Sequence, residues 1–310
     1  MLDIKCINWK NLSGVQLENE YLRIVVLPCL GGKLASVYDK LKNFELAAQH
    51  SDKEYNIPHL GAKFYDYDAS GMDDMFPNIV GANVTYMEKE LEYPDHGEIW
   101  SSPFVSHIEG ESLHLSYESD RFHYLYKKTI SLHGNKIKID YYIENKREDP
   151  LPCIWAFHGL VRYEEDLELL FPNEVNKFEN VLQSPELGVI GKWYSKSDSG
   201  YPFTKVPPKK SGTMVKYYVE HKLKNGFCGY RYPTQEIECL LEYDAKKLPY
   251  LGVWVTAGGY RGDYNCALEP ANGYYDDIRI AGENDALYVL EKGKPLIFSM
   301  SIEVKELRRE

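Results

Sequence analysis

Polar and apolar residues alternate along many stretches of this chain, and short continuous apolar runs form several others. Alternation with a period of two places side chains on the two faces of a β-strand, and clusters of Gly, Pro, Asn and Asp separate one run from the next. The predicted strands cover residues 21–27, 34–38, 113–117, 124–132, 137–143, 153–158, 214–219, 227–232, 237–243, 250–256, 264–268, 287–290 and 296–304. Tight turns at Gly31-Gly32 and at His133-Gly134-Asn135 favour antiparallel pairing.

The pattern as a whole predicts an all-β protein, a large antiparallel sandwich built as one domain over residues 1–310. No amphipathic helix longer than about three turns is predicted. Residues 41–79, 93–104 and 170–210 lack a period and are rich in turn-forming residues, so we predict irregular structure there. Long loops in compact folds often carry function, which directs attention to residues 71–77, Gly-Met-Asp-Asp-Met-Phe-Pro.

Composition narrows the classes of function. The formal net charge of -11 and the absence of a dense basic run disfavour nucleic acid and anionic membranes as partners. The first residues lack the apolar core of a signal peptide, and no apolar run approaches the length of a membrane span. The six cysteines have no C-x-x-C spacing, which disfavours a zinc ribbon. We expect a cytoplasmic monomer or homodimer acting on a small molecule.

The candidate chemistry rests on histidines and one carboxylate. Nucleotide-binding, phosphate-loop, zincin and hydrolase-elbow motifs are all missing. His96 and His158 each precede a glycine, and His158 ends an apolar run. Residues 265–270 form a second apolar run that reaches Glu269 and then Pro270, which we predict to end the strand at Glu269 because proline cannot donate to a sheet ladder. A partly dehydrated carboxylate at a strand end suits a general base.

The order of these motifs resembles the galactose mutarotase-like superfamily, which contains the aldose 1-epimerases. The resemblance extends from about residue 19 to residue 304, and its parts are Val26-Leu27-Pro28 with Gly31-Gly32, residues 71–77, Asp95-His96-Gly97 with Trp100, Trp155-Ala156-Phe157-His158, Leu251-Gly252-Val253-Trp254, and Leu268-Glu269-Pro270 with Gly273. The resemblance implies a β-supersandwich fold and a sugar as the small-molecule substrate.

The resemblance also implies roles for three residues. Glu269 would remove the proton of the anomeric hydroxyl, His158 would protonate the ring oxygen, and His96 would hold the sugar. Opening a hemiacetal ring requires a base at one oxygen and an acid at the other, so a pair of this kind is chemically sufficient. No metal and no organic cofactor is required.

Other positions depart from the superfamily's pattern and leave the substrate open. His158 is followed by Gly159 instead of a Pro or Thr, and residues 73–78 stand where the characterised enzymes have an arginine. The candidate sugar-binding residues are acidic, aromatic or basic side chains, each with an ordinary structural role as the alternative: Asp73, Asp74, Trp100, Arg162 and Trp254.

Three alternatives to a free-sugar epimerase follow from the same residues. A hexose 6-phosphate 1-epimerase would need a phosphate clamp, for which Arg162, Arg231 and Arg261 are candidates. A sugar-binding protein without turnover would fit the altered residues after His158. A glycosidase would use Glu269 with Asp73 or Asp74, and it would leave His96 and His158 without a role.

Overall fold

β-Strands dominate the computed structural model, which describes residues 2–197 and 200–307. Within these ranges the strands are β1 (Asp3–Trp9), β2 (Leu12–Glu18), β3 (Leu22–Leu27), β4 (Lys33–Asp39), β5 (Phe44–Glu45), β6 (Met72–Met75), β7 (Ala82–Tyr86), β8 (Lys89–Tyr93), β9 (Val105–Glu109), β10 (Ser112–Glu118), β11 (Tyr124–His133), β12 (Lys136–Asn145), β13 (Leu151–Cys153), β14 (Ala156–Gly159), β15 (Val161–Arg162), β16 (Glu168–Leu170), β17 (Lys177–Asn180), β18 (Trp193–Ser195), β19 (Thr213–Val219), β20 (Phe227–Tyr232), β21 (Ile237–Tyr243), β22 (Tyr250–Ala257), β23 (Tyr264–Ala271), β24 (Tyr288–Leu290) and β25 (Leu296–Glu306).

Helical structure is short. The described residues contain one α-helix, α1 (Ile278–Glu283), and three 3₁₀ turns at Pro28–Leu30, Phe64–Asp66 and Ile99–Ser101. Asp277 caps α1, since its carboxylate accepts a hydrogen bond of 2.9 Å from the backbone N–H of Arg279. No helix in the described part of the chain is long and apolar enough to cross a membrane.

Two large antiparallel sheets organise the strands. The larger has the order β1-β2-β3-β4-β6-β14-β23-β22-β19-β17-β18, with β5 paired to β4 and β15 to β23. The smaller has the order β16-β20-β21-β25-β12-β11-β10-β9. Buried residues from both sheets, such as Ile24 and Leu268 from the larger and Ile139 and Ile302 from the smaller, belong to one hydrophobic cluster, which accounts for the alternation seen in the sequence.

The predicted all-β antiparallel architecture is confirmed, and several local predictions are wrong. The run at 153–158 is two strands, β13 and β14, which belong to different sheets. β6 lies at the centre of the larger sheet, although residues 41–79 were expected to be irregular. Its four residues include two aspartates, so β6 lacks the apolar character by which buried strands are recognised. The extent of the domain, 1–310, stays a prediction.

Pro270 does not end its strand. β23 continues to Ala271, and Pro270 pairs with Leu251 of β22. On the other side of β23, pairing occurs at Ala156 with Ala271 and resumes only at Val161 with Cys266. Pro270 therefore lies where that ladder is interrupted, and its missing N–H removes no hydrogen bond from it.

Candidate active site

Two of the predicted catalytic residues lie on the neighbouring strands β14 and β23. Ala156 of β14 is paired with Ala271 of β23. Because the strands are antiparallel, His158, two residues after Ala156, and Glu269, two residues before Ala271, lie in the same direction from this pair. Residues two apart on a strand share a face of the sheet, so both side chains lie on the same face. Both side chains also line one cavity of about 410 Å³.

Glu269 is a buried carboxylate with one engaged oxygen. Its side chain is only 1% exposed, and Oε2 accepts a short hydrogen bond from the Lys216 ammonium on β19. Oε1 has no hydrogen-bond partner. An unpartnered buried carboxylate oxygen is energetically costly, so one that lines a cavity marks a position for a donor supplied by a ligand.

Lys216 is the counter-ion of that carboxylate. Its Nζ also lies 3.6 Å from Oδ1 of Asp276, which in turn accepts a hydrogen bond of 2.7 Å from the Tyr218 hydroxyl. Burial alone would lower the pKa of Lys216, but Asp276 and Glu269 outweigh it and raise this pKa above its ordinary value. The ammonium therefore stays charged and compensates the buried carboxylate.

His158 has its own partner on the opposite side. Its Nδ1 lies 2.9 Å from Oδ1 of Asp73 on β6, and Lys33 Nζ lies 3.3 Å from the other oxygen of that aspartate. Burial alone would raise the pKa of Asp73, but Lys33 and His158 bring it down to about 2. The ionised carboxylate can only accept, so Nδ1 donates and Nε2 is left available.

His96 reaches the same cavity from a loop. It has a left-handed φ of 58°, and Gly97 follows with a φ of 74°. The backbone of Gly97 is packed so closely that a Cβ there would lie 2.2 Å from the carbonyl oxygen of Phe76. The His96 ring stacks on Phe64 with centroids 4.1 Å apart, and its Nδ1 lies 2.8 Å from Oδ1 of Asp95. His96 and His158 have ring centroids 5.7 Å apart.

The cavity has two apolar walls of different character. One, the aromatic wall, consists of Phe64, Trp254 and Tyr260, and the rings of Trp254 and Tyr260 meet at 88°. Trp254 is held by a hydrogen bond of 2.9 Å from its Nε1 to Oδ1 of Asn265. The other, the aliphatic wall, consists of Val80, Val181, Leu182, Ile190 and Ile280. Trp254 is the one predicted sugar-binding residue that lines the cavity directly.

The other predicted sugar-binding residues lie outside the lining. Asp73 stands behind His158, as described above. Asp74, the next residue on β6, faces the other way and accepts hydrogen bonds from Tyr126, Lys128 and Tyr141 in the core. Successive residues of a strand point to opposite faces, so Asp74 has no access to the cavity. This placement does not support Asp74 as a sugar contact.

Trp100 and Arg162 are also placed away from the lining. Trp100 is buried, with its Nε1 bonded to the Asp95 carbonyl at 3.1 Å and its ring against Phe64, so it supports the aromatic wall from behind. Arg162 is exposed and paired with Glu164. Neither placement supports a direct contact with substrate.

The arginines proposed as a phosphate clamp are engaged elsewhere. Arg231 is paired with Glu238 on the smaller sheet. Arg261 donates to the carbonyl oxygens of Tyr65 and Tyr67, so it holds the loop that carries Phe64. Among the described residues no arginine lines the cavity, and the one lysine that does, Lys216, is already neutralised.

Lys216, Asp276 and Asn265 are cavity residues that sequence reasoning missed. Lys216 did carry a signal, because it is a charged residue in the otherwise largely apolar strand β19. A lysine is almost never fully buried unless it is paired, so this position indicated an acidic partner. Asp276 and Asn265 carried no comparable signal, since polar residues at strand ends and in loops are ordinary.

A possible metal-ligand group occurs elsewhere, on the β9–β10 hairpin. The ligand atoms of His107, Glu109 and His114 lie within 4.8 Å of one another, and two of the three residues are exposed. None of the three lines the cavity. The cavity chemistry described here does not involve them.

Comparison with known proteins identifies the fold. No protein-family model and no curated protein matches the sequence. Solved structures match across nearly the whole chain. A galactose mutarotase-like protein from Clostridium acetobutylicum has a TM-score of 0.74 at 13% identity, with 98% of this chain and 99% of that one covered. A candidate aldose 1-epimerase from Escherichia coli K12 has a TM-score of 0.69 at 17% identity, with coverage of 99% and 100%.

A third structure agrees with these two. The galactose mutarotase related enzyme from Lactobacillus acidophilus has a TM-score of 0.69 at 14% identity, with 96% of this chain and 99% of that one covered. The chain therefore has a galactose mutarotase-like fold, as the sequence motifs predicted. At these identities the likeness establishes the fold alone.

Proposed function

We propose that this protein is an aldose 1-epimerase-like isomerase that interconverts the α and β anomers of an unphosphorylated sugar. The observation that carries the proposal is that His158 and Glu269, on the neighbouring central strands β14 and β23, line one cavity and each has its own buried partner. The shared fold of the mutarotase-like proteins supports the same reaction class.

The proposed reaction moves two protons. Oε1 of Glu269 takes the proton of the anomeric hydroxyl while Nε2 of His158 gives a proton to the ring oxygen. The bond between the anomeric carbon and the ring oxygen breaks, and the anomeric carbon becomes a carbonyl carbon. Rotation by half a turn about the next carbon–carbon bond presents the other carbonyl face, and ring closure returns both protons. Atoms and charges balance without a metal or an organic cofactor.

The two partners prepare the acid and the base. The Asp73 carboxylate accepts from Nδ1 of His158, which fixes the ring and leaves Nε2 to exchange a proton with the sugar. The Lys216 ammonium donates to Oε2 of Glu269, which holds this carboxylate and leaves Oε1 to exchange the other proton. His96, oriented by Asp95 and stacked on Phe64, presents its Nε2 as a contact for a sugar hydroxyl.

The cavity supports a neutral sugar over a phosphorylated one. A phosphate needs an unpaired cation or a set of N–H donors, and the single lysine of the described lining already compensates two carboxylates. Two-carboxylate glycoside hydrolysis gains no support either, because Asp73 is engaged by His158 and Lys33 and lies outside the lining.

Polarimetry tests the proposal. The protein should accelerate mutarotation of at least one aldose, and Glu269→Gln or His158→Gln should reduce the rate by roughly 10²- to 10⁴-fold. Glu45→Gln is the matched control, because Glu45 is a carboxylate on β5 that bonds to Ser36 and lies outside the cavity. Equal rates for Glu269→Gln and the unaltered protein would refute the catalytic assignment. Calorimetric sugar binding without any acceleration would favour a binding protein instead.

A further inference from the structure

The aliphatic wall lines the same cavity as the catalytic groups, and backbone hydrogen bonds hold its residues in place. The N–H of Val181 donates to the carbonyl of Lys216 at 3.1 Å, and the N–H of Val80 donates to the carbonyl of Asp276 at 3.1 Å. Ile280 joins from α1, whose start is fixed by its Asp277 cap. The wall is therefore tied to the same residues that compensate Glu269, and its position relative to the acid and base is defined.

The aliphatic wall offers a ligand no hydrogen-bonding side chain. A hydroxyl that leaves water without gaining a hydrogen bond is unfavourable, whereas an apolar group that leaves water there is favourable. Most polar groups nearby are engaged, since Oδ1 of Asp276 accepts from the Tyr218 hydroxyl, Oδ1 of Asn265 accepts from Trp254, and Asp277 is paired with Arg279. Tyr275, which clusters with Val181 and Ile280, also lines the cavity and carries a hydroxyl. The five aliphatic side chains themselves are thus poorly suited to a part of a sugar that bears hydroxyls.

Two residues of the wall are exposed. Val80 is 41% exposed and Ile190 is 53% exposed, although both line the cavity. Exposed apolar side chains grouped at a cavity mouth are typical of ligand-binding surfaces. The aromatic wall lines the same cavity, and aromatic rings are the kind of surface on which a sugar ring stacks.

From these observations we infer that the preferred substrate is a reducing sugar that carries an apolar group, either a deoxygenated carbon or an alkyl or acyl substituent, which packs against the aliphatic wall. This inference rests on the proposed function. The sugar ring lies against the aromatic wall with its anomeric carbon between His158 and Glu269. The apolar group covers Val80 and Ile190 and removes them from water.

Matched pairs of aldoses test the inference. Each pair consists of glucose or galactose and a derivative that is deoxygenated or O-butanoylated at one carbon other than the anomeric one. For at least one pair the derivative should be turned over with a kcat/KM roughly tenfold higher than that of its parent. A parent sugar that equals or exceeds every derivative would overturn the inference.

A pair of variants ties the preference to the wall. Ile190→Asn places an amide on the wall and should reduce the ratio between derivative and parent. Val189→Asn is the control, because the neighbouring Val189 is 65% exposed and does not line the cavity, and it should leave the ratio unchanged. An unchanged ratio in Ile190→Asn would also count against the inference.

Binding calorimetry separates this inference from the proposed function. If no aldose is accelerated, the proposed function fails, and the affinities of the same pairs still decide the inference. Tighter binding of a derivative than of its parent, reduced in Ile190→Asn, would support the apolar subsite. Equal or weaker binding of every derivative would overturn it whatever the result of polarimetry.

Discussion

Replacing Asp73 by asparagine removes the negative charge beside His158 while keeping the size of the side chain. Burial alone would raise the pKa of Asp73, and Lys33 and His158 nevertheless bring it from 3.8 to about 2. A shift of this size corresponds to about 2.5 kcal/mol of favourable interaction with the charged carboxylate. The residue is only 2% exposed, so solvent screening reduces this figure little.

Part of that interaction is the hydrogen bond between Asp73 and Nδ1 of His158, so its loss should weaken the positioning of the acid. We expect Asp73→Asn to reduce kcat for mutarotation by roughly ten- to seventy-fold, the upper limit being the whole of about 2.5 kcal/mol. KM should change little, because Asp73 does not line the cavity.

A neighbouring aspartate provides the control for this measurement. Asp74→Asn alters the next residue of β6, whose side chain bonds to tyrosines and a lysine in the core instead of to His158. It should lower the melting temperature and leave kcat nearly unchanged. Polarimetric rates and thermal unfolding of both variants provide the comparison. A folded Asp73→Asn protein with the kcat of the unaltered protein would refute the reasoning.

Lys33→Met tests the charge balance around Asp73. Lys33 is buried and lies 3.3 Å from Oδ2 of Asp73, and its charge helps to lower the pKa of that carboxyl. Its removal should raise the pKa of Asp73 towards 3.8, so the stability of this variant should depend less on pH between 3.8 and about 2 than that of the unaltered protein. The same pH dependence in urea titrations of both proteins would contradict this expectation.

Three further expectations concern the stability of the fold. The pKa of Asp73 in the folded protein lies below 3.8, so the ionised carboxylate stabilises the fold above that pH, and this stabilisation is lost as the pH falls towards 2. In urea titrations Asp73→Asn should therefore be less stable than the unaltered protein at pH 7, and the difference should vanish by about pH 2. Gly97→Ala should cost about 3 kcal/mol, since its Cβ would lie 2.2 Å from a carbonyl oxygen, against about 1 kcal/mol for Gly110→Ala, which meets no atom within 4 Å. Lys216→Met should destabilise the fold by about 3–5 kcal/mol by leaving Glu269 without its counter-ion, and adding Glu269→Gln should recover part of that loss; equal stabilities for the single and double variants would contradict it.

The sequence predicted those parts of the fold in which one side-chain face is buried. Strands such as β12 and β25 alternate because one face packs in the core and the other meets water, and this pattern is readable without a structure. β6 was missed because a strand flanked on both sides by others can carry charged residues when each has a partner. The partners of Asp73 and Asp74 lie on β4, β14, β11 and β12, and no local pattern encodes contacts over such distances in sequence.

The candidate site was predicted unevenly for a related reason. His158 and Glu269 stood out because each ends an apolar stretch, and His96 because it precedes a glycine in a recognisable motif; the structure brings all three to one cavity. In the predicted loop nothing distinguishes Asp73 from Asp74, because an irregular segment does not determine the direction in which each side chain points. Once they are placed on a strand, the period of two assigns one to the histidine and the other to the core.

The catalytic residues lie on strands, whereas the aliphatic wall lies on connecting segments and a helix, and this separation affects how substitutions can alter the range of substrates. The proposed acid and base are anchored on β14 and β23, whereas the aliphatic wall comes from the segments after β6 and β17, the segment before β18, and α1. Substitutions in those segments alter what the cavity accepts without moving the proton-transfer groups. A mutant library restricted to residues 79–80, 181–190 and 278–280 would therefore sample new sugars on an intact reaction centre, and natural divergence could follow the same route.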